Sequence, residues 1–272
     1  MQERVYAMYV LTERRIGYGP LSPEGLHEEK STTRPNVFSR RDEYTNVEPV
    51  GTTMKREGRE EVKRYDQVSA FILTGGASSR MGKEKALLDF GGEPLLVRIA
   101  RRVEPLVSNV TAVGSPERYA ILGLNVIKDR DFGLRYDSRR PGPLAGIATA
   151  LTVTRTDWNL ILACDLPYLT REWLDWLLAR TKVSQQQIIM PRTAGGPEPL
   201  AAVYRRECAR LIMGALQRGV RKVTDAMEHL GIEYVTEESW RHIDPHGRVL
   251  RNMNTSEDYE EARTWLETEH PS

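Results

Sequence analysis

"AFILTGGASSRMGKEKALLDFGGEPLL", Ala70 to Leu96, sets an apolar run directly before a glycine pair, two serines, an arginine and two lysines. Val68–Leu73 reads as a short strand ended by Gly75-Gly76. Glu93–Val103 has helical spacing, with Leu95, Leu96, Ile99, Ala100 and Val103 on one side. The same alternation runs to the end of the chain. Strands are expected at Asn109–Val113, Asn125–Ile127, Asp157–Cys164, Gln187–Met190, Leu200–Tyr204 and Ile232–Val235. Helices are expected at Pro116–Leu122, Pro143–Leu151, Arg206–Arg218, Lys222–Leu230 and Ser256–Glu267, and one capped by Thr170 runs through Arg180 with Glu172 in its first turn. Strands alternating with helices predict an α/β fold, a mostly parallel sheet with helices on both faces.

Upstream of this pattern the chain changes character. Residues 1–66 are rich in charge, Pro, Gly, Ser and Thr, with isolated apolar residues and no sustained period. Such a segment buries too little apolar area to offset its ordering entropy. We expect a disordered extension over 1–66, with a helical stub at Met54–Tyr65, and one folded domain over 67–272. A start of translation at Met54 is the alternative reading of the same segment.

Composition narrows the function classes. The 272 residues carry a net charge of +1, which gives no global field for nucleic acid or an anionic membrane, so any phosphate recognition must be local. Cys164 and Cys208 are the only cysteines and form no CxxC pair, which fits reduced thiols in the cytoplasm better than a disulfide framework. No apolar run approaches the roughly 18 residues of a membrane span, and the start, "MQERVYAMYVLTERR", is neither a secretory signal nor a transit peptide.

A parallel sheet binds its ligand outside the carboxyl ends of its strands. Gly75 and Gly76 can take positive φ and let backbone N–H groups form an anion nest, while Arg80 offers a two-pronged phosphate grip and Lys85 a mobile point charge. The loop is neither GxxxxGK[ST] nor GxGxxG; a surface turn with solvated cations is its other reading. In "LILACDLPYL" Asp165 ends an apolar strand and is placed to hold Mg²⁺, or else to cap the turn before Pro167. In "IKDRDF", Asp129 and Asp131 follow another strand and could accept from nucleotide hydroxyls or base N–H groups, or simply form a solvated turn. His242 and His246 have metal-pair spacing, but Pro245 breaks any helix between them. Trp173 and Trp176 read as helix packing.

"LTGGASSRMGKEKALLDFGGEPLL" resembles the signature loop of the nucleotidyltransferases that build dinucleotide forms of molybdopterin. "RPGPLAGIATAL", "LACDLPYL", "EPLAAVY" and "NMNTSEDY" follow in the order seen in the molybdenum cofactor guanylyltransferases. The resemblance covers Ser69 to the C-terminus and implies a three-layer Rossmann-like nucleotidyltransferase fold. It implies GTP and molybdopterin as substrates, Mg²⁺ as cofactor, and transient contact with molybdenum-insertion proteins or molybdoenzymes. Carried over, it puts the backbone of Leu73, Thr74 and Gly75 against the guanine nucleotide and Lys85 on its phosphates. Asp129 becomes a nucleotide-binding aspartate and Asp165 the Mg²⁺ ligand, and Asn252 and Asn254 border the active site. Arg80, Lys85 and Asp165 are the candidate catalytic residues.

Four departures stand out. Thr74 replaces the family's usual Ala, and its asparagine after the second strand has no counterpart around Val113–Ser115. Ser256 replaces a usual Pro. The link "RDFGLRYDSRR", residues 130–140, is longer than usual and its arginines suit a flap over an anionic substrate. Competing readings are a molybdopterin cytidylyltransferase, a sugar-phosphate nucleotidyltransferase, and a non-catalytic carrier of the cofactor.

Overall fold

Tyr65–Leu73 forms β1, and it sits inside the sheet because its burial is continuous from Val68 onward. In the computed structural model, residues 63–75, 84–130, 132 and 142–269 are described, all within the unit Glu57–Ser272. β1 pairs in parallel with β2 (Val107–Val113) on one edge and β4 (Trp158–Ala163) on the other. β3 (Val126–Ile127) extends the sheet beyond β2, again in parallel.

The other half of the sheet is mixed. β7 (Ala201–Arg205) lies antiparallel between β4 and β5 (Ile188–Thr193), and β8 (Ile232–Thr236) runs parallel to β5. β5 returns through a two-residue arm, β6 (Gly196–Pro197), before reaching β7. Ile188 pairs with Tyr204 and Ile189 with Val203, but Arg192 pairs with Pro197 and Thr193 with Gly196. β6 and β7 are therefore one return strand with Glu198, Pro199 and Leu200 bulged out between them. Every strand but β6 and β7 runs the same way, so the mostly parallel α/β sheet read from the sequence is the observed one.

Alternate residues of the strands feed two cores. Ala70 and Ile72 pack with α1 (Leu95–Val103), α4 (Arg171–Ala179) and α7 (Ser256–Glu269). Phe71 and Leu73 pack with α3 (Pro143–Val153) and α5 (Cys208–Gln217). The result is three layers. Two short helices, α2 (Pro116–Tyr119) and α6 (Glu237–Trp240), complete the chain. Thr170 caps α4 as expected, its hydroxyl oxygen accepting from Trp173 N–H at 3.2 Å. Trp173 and Trp176 both meet Trp240 edge to face, which is packing.

Some boundaries differ from the sequence reading. β1 begins three residues early because Tyr65 is buried and its hydroxyl donates to Asp175 Oδ1 on α4 at 2.8 Å. The stub expected over Met54–Tyr65 otherwise lies outside the described residues, as do residues 1–62. The helix expected at Lys222–Leu230 is one 3-10 turn at Asp225–Met227. Val223, Ala226, Met227 and Leu230 are buried there, so their helix-like spacing records a covered face without the helix.

α3 explains "GPLAGIATAL". It is buried from Leu144 to Leu151, and Gly146 lies against β1, where a Cβ would stand 3.1 Å from Leu73 Cδ1 and 3.2 Å from its Cδ2. Gly146→Val overpacks this contact and is expected to cost about 1–3 kcal/mol. The check is urea unfolding, with a lower midpoint at unchanged slope.

Candidate active site

Leu73, Thr74, Gly75, Lys85 and Asp165 line one cleft of about 190 Å³ at the carboxyl edge of the sheet, with Pro143 of α3, Ala163, Cys164 and Leu200. The turn carrying Lys85 is a 3-10 turn, Lys85–Leu87, pinned by the buried Ala86. The Lys85 ammonium donates to Asp165 Oδ2 at 3.0 Å and to Asn254 Oδ1 at 2.9 Å. The Lys85 and Asp165 side chains are only 16% and 22% exposed. Sequence positions 85, 165 and 254 thus meet at one cation.

Backbone and capping bonds hold that meeting point. Met253 N–H donates to Asp165 C=O at 3.0 Å, which clips the "NMNT" segment onto the turn after β4. Asp258 Oδ2 accepts from Asn254 N–H and Thr255 N–H, both at 2.9 Å, while Thr255 Oγ1 accepts from Asp258 N–H at 3.1 Å. This is a reciprocal helix cap, and these bonds lower the Asp258 carboxyl from its ordinary value. Ser256 follows as the first residue of α7, a position that does not need Pro. Arg102 of α1 fixes the other side of the Asp165 turn by donating to the carbonyls of Pro167 and Leu169; burial lowers its pKa to about 10.

Asp129 closes the β1–β3 side. Its Oδ1 is buried with no partner among the described residues, and burial raises the carboxyl above its ordinary value. A Cβ on Gly75 would stand 4.0 Å from Asp129 Oδ2. Thr149 on α3 steadies the strand exit by accepting from Arg130 N–H at 2.9 Å. Gly75 does not take positive φ, contrary to the expectation; its missing side chain instead leaves the approach to Asp129 open. Leu73 C=O accepts from Cys164 and Thr74 N–H donates to Val113, so Thr74 C=O and Gly75 are the first backbone groups beyond the sheet.

The departure at Thr74 is linked to position 114. Thr74 Oγ1 donates to Val113 C=O at 2.9 Å, and a Cβ on Gly114 would overlap that hydroxyl. Position 114 therefore cannot carry a side chain while Thr74 holds this rotamer. Tyr119 packs over Gly114 and donates from its hydroxyl to Glu84 Oε1, which Arg118 also reaches at 3.4 Å. Glu84 precedes Lys85, so α2 anchors the lysine turn. Sequence reading missed Glu84, Tyr119, Thr149, Arg102 and Asp258. Only Asp258 had a local signal, the Thr255-x-x-Asp258 capping pattern.

Asn252 lies on the clipped segment, exposed and without a side-chain bond to the described residues. Arg80, Gly76, Asp131 and residues 133–140 of the long link lie outside the described residues. Cys164 is the thiol in the cleft, and burial pushes its pKa up to about 12, which disfavours the thiolate. Among the described residues the cleft offers a paired cation and carboxylate and open backbone, and the Asp129 carboxylate, with one oxygen unpaired among those residues, lies beside Gly75. Such a set suits the binding and orienting of charged groups.

The model of the MobA-like NTP transferase domain matches residues 70–232. A protein of Pelotomaculum thermopropionicum named "Probable molybdenum cofactor guanylyltransferase" is 34% identical over 205 residues, 74% of this chain and 94% of that one. The molybdenum cofactor guanylyltransferase of Pseudomonas aeruginosa is 34% identical over 194 residues, 70% of this chain and 91% of that one. Among solved structures, molybdopterin-guanine dinucleotide biosynthesis protein A from Archaeoglobus fulgidus superposes with a TM-score of 0.61. It covers 72% of this chain and 97% of its own at 24% identity, a likeness of fold.

Proposed function

The chain belongs to the molybdenum cofactor guanylyltransferases, within the MobA-like NTP transferase family, and on that premise we propose that it transfers GMP from GTP to the terminal phosphate of molybdopterin. A bond forms between a molybdopterin phosphate oxygen and the α-phosphorus of GTP, and the bond from that phosphorus to the β-phosphate oxygen breaks. The electron pair leaves with pyrophosphate. The attacking phosphate is already ionised, so no general base is needed, and the work left to the protein is positioning and charge neutralisation.

The observation that carries this reading is the meeting of Lys85, Asp165 and Asn254 in the cleft beside β1. Asp165 is our candidate metal ligand. A cation, the Lys85 ammonium, already sits on its carboxylate, and no cluster of three or more His, Cys, Asp or Glu surrounds it among the described residues. Such a donor set suits Mg²⁺, which takes one or two carboxylates and fills its shell with phosphate oxygens and water. When bound, Mg²⁺ would neutralise phosphate charge at the reacting centre. Lys85 serves the outer phosphates, with Arg80 assigned to the same task. The unpaired Asp129 Oδ1 and the open backbone at Thr74 and Gly75 serve the guanosine. Asn252 and Asn254 border the active site. No helix among the described residues is long and apolar enough to cross a membrane.

The test is pyrophosphate release from each nucleoside triphosphate with and without molybdopterin. Release that needs both GTP and molybdopterin is expected; tight molybdopterin binding without release would make the chain a carrier. Lys85→Ala should weaken GTP binding about tenfold more than GMP binding, since the lysine meets the outer phosphates. Equal losses in calorimetric titration would move Lys85 to the α-phosphate.

A further inference from the structure

We propose that Lys85 is the resident counter-cation of the Asp165 carboxylate and gives that carboxylate up when the metal–nucleotide complex enters. This rests on the reading of Asp165 as the metal ligand. The ammonium lies 3.0 Å from Asp165 Oδ2 and 2.9 Å from Asn254 Oδ1, and Lys85 and Asp165 both line the cleft. A divalent ion on either oxygen of this carboxylate would stand a few ångströms from the ammonium, and like charges at such separation repel in a largely buried site. Arrival of the metal therefore weakens the ion pair and favours the Lys85 side chain turning away.

The rest of the cleft makes that turn productive. The main chain of Lys85 is held in place by the buried Ala86 and by the Tyr119–Glu84 bond on its N-terminal side. Only the flexible four-carbon stem moves, and a lysine carries its charge as a mobile point. The group it moves toward must be anionic to compensate for the lost carboxylate. Triphosphate oxygens brought in with the metal meet that need, whereas free metal ions bring no such partner. Asn254 gives the ammonium a neutral second acceptor that does not compete for the metal's charge.

The consequence is ordered loading. Free metal has to displace the lysine unaided, so its apparent affinity is reduced by the fraction of molecules in which Asp165 is unpaired. Metal already carried on a triphosphate meets the same displacement, but the phosphate oxygens it brings offset it by pairing with the freed ammonium. The lysine thus opposes one form of the metal and favours the other.

The experiment is Mn²⁺ binding to the full chain, without nucleotide, followed by electron paramagnetic resonance. Lys85→Met is expected to bind Mn²⁺ roughly tenfold more tightly than the unaltered protein, the effect of an open fraction near a tenth. The same variant should bind GTP in the presence of Mn²⁺ more weakly than the unaltered protein. Lys85→Gln, which keeps a donor for both acceptors but no charge, provides the same reading if the methionine variant does not fold. Asp165→Asn separates the two ideas. If it leaves Mn²⁺ binding unchanged, the metal reading of Asp165 fails; if it abolishes binding while neither Lys85 variant tightens it, the exchange alone is wrong.

Discussion

Asp165→Asn should lower transfer by about a thousandfold while leaving the protein folded. The substitution keeps the volume of the side chain and an oxygen that can accept from Lys85, so the contact seen at 3.0 Å keeps its geometry. What it removes is the charge that anchors the metal against the phosphates. Loss of one preorganised electrostatic contact at a reacting centre costs about a hundred- to a thousandfold in turnover, and an anchor for a divalent ion belongs at the upper end. The fold should hold because the turn after β4 is tied by backbone atoms: Met253 to the Asp165 carbonyl and Arg102 to those of Pro167 and Leu169. Turnover and thermal midpoint, measured on the same preparation, check both halves. Near-normal Mg²⁺-dependent turnover, or an unfolded variant, contradicts the assignment.

Much of this architecture could be read from the chain before any coordinates. β1, β2, β4 and α1 declare themselves by apolar runs and helical spacing, and attention to strand ends singled out Lys85 and Asp165, which the structure brings together in one cleft. What escaped was of two kinds. β6 and α6 are too short, at two and four residues, to show any period. β7 was read as one more strand of an alternating series, yet no helix separates Met190 from Leu200. A connection that short can only be a hairpin, which makes β7 antiparallel. The other kind is contact across the chain. Tyr119 reaches Glu84 over 35 residues and Lys85 reaches Asn254 over 169, and neither pairing leaves a local pattern. The Thr74–Gly114 exclusion belongs here too. Nothing local to Thr74 or Gly114 shows that the hydroxyl of one occupies the space a side chain on the other would need.

GTP should be preferred over CTP and ATP by at least about a hundredfold. The base is expected at the ends of β1 and β3, where Gly75 leaves the approach to Asp129 free of side chain. Two kinds of polar group wait there: a buried carboxylate oxygen with no partner among the described residues, and backbone beyond the sheet at Thr74 and Gly75. Guanine presents adjacent N–H donors to an acceptor such as Asp129 Oδ1 and a carbonyl to a backbone N–H. Adenine presents the reverse pattern on that edge, and cytosine is too small to reach both groups from one position. A site that buries polar groups rejects the ligand that leaves them unpaired, at about 1–3 kcal/mol for each such group. Two of them reach a hundredfold or more.

The most direct measurement is therefore a competition. Purified protein, molybdopterin and Mg²⁺ are mixed with GTP, CTP and ATP at equal concentration, and the dinucleotide products are separated and identified by mass. Molybdopterin guanine dinucleotide in at least hundredfold excess over the other two is the predicted result. Cytosine dinucleotide as the main product, or no dinucleotide from any of the three, would contradict the account.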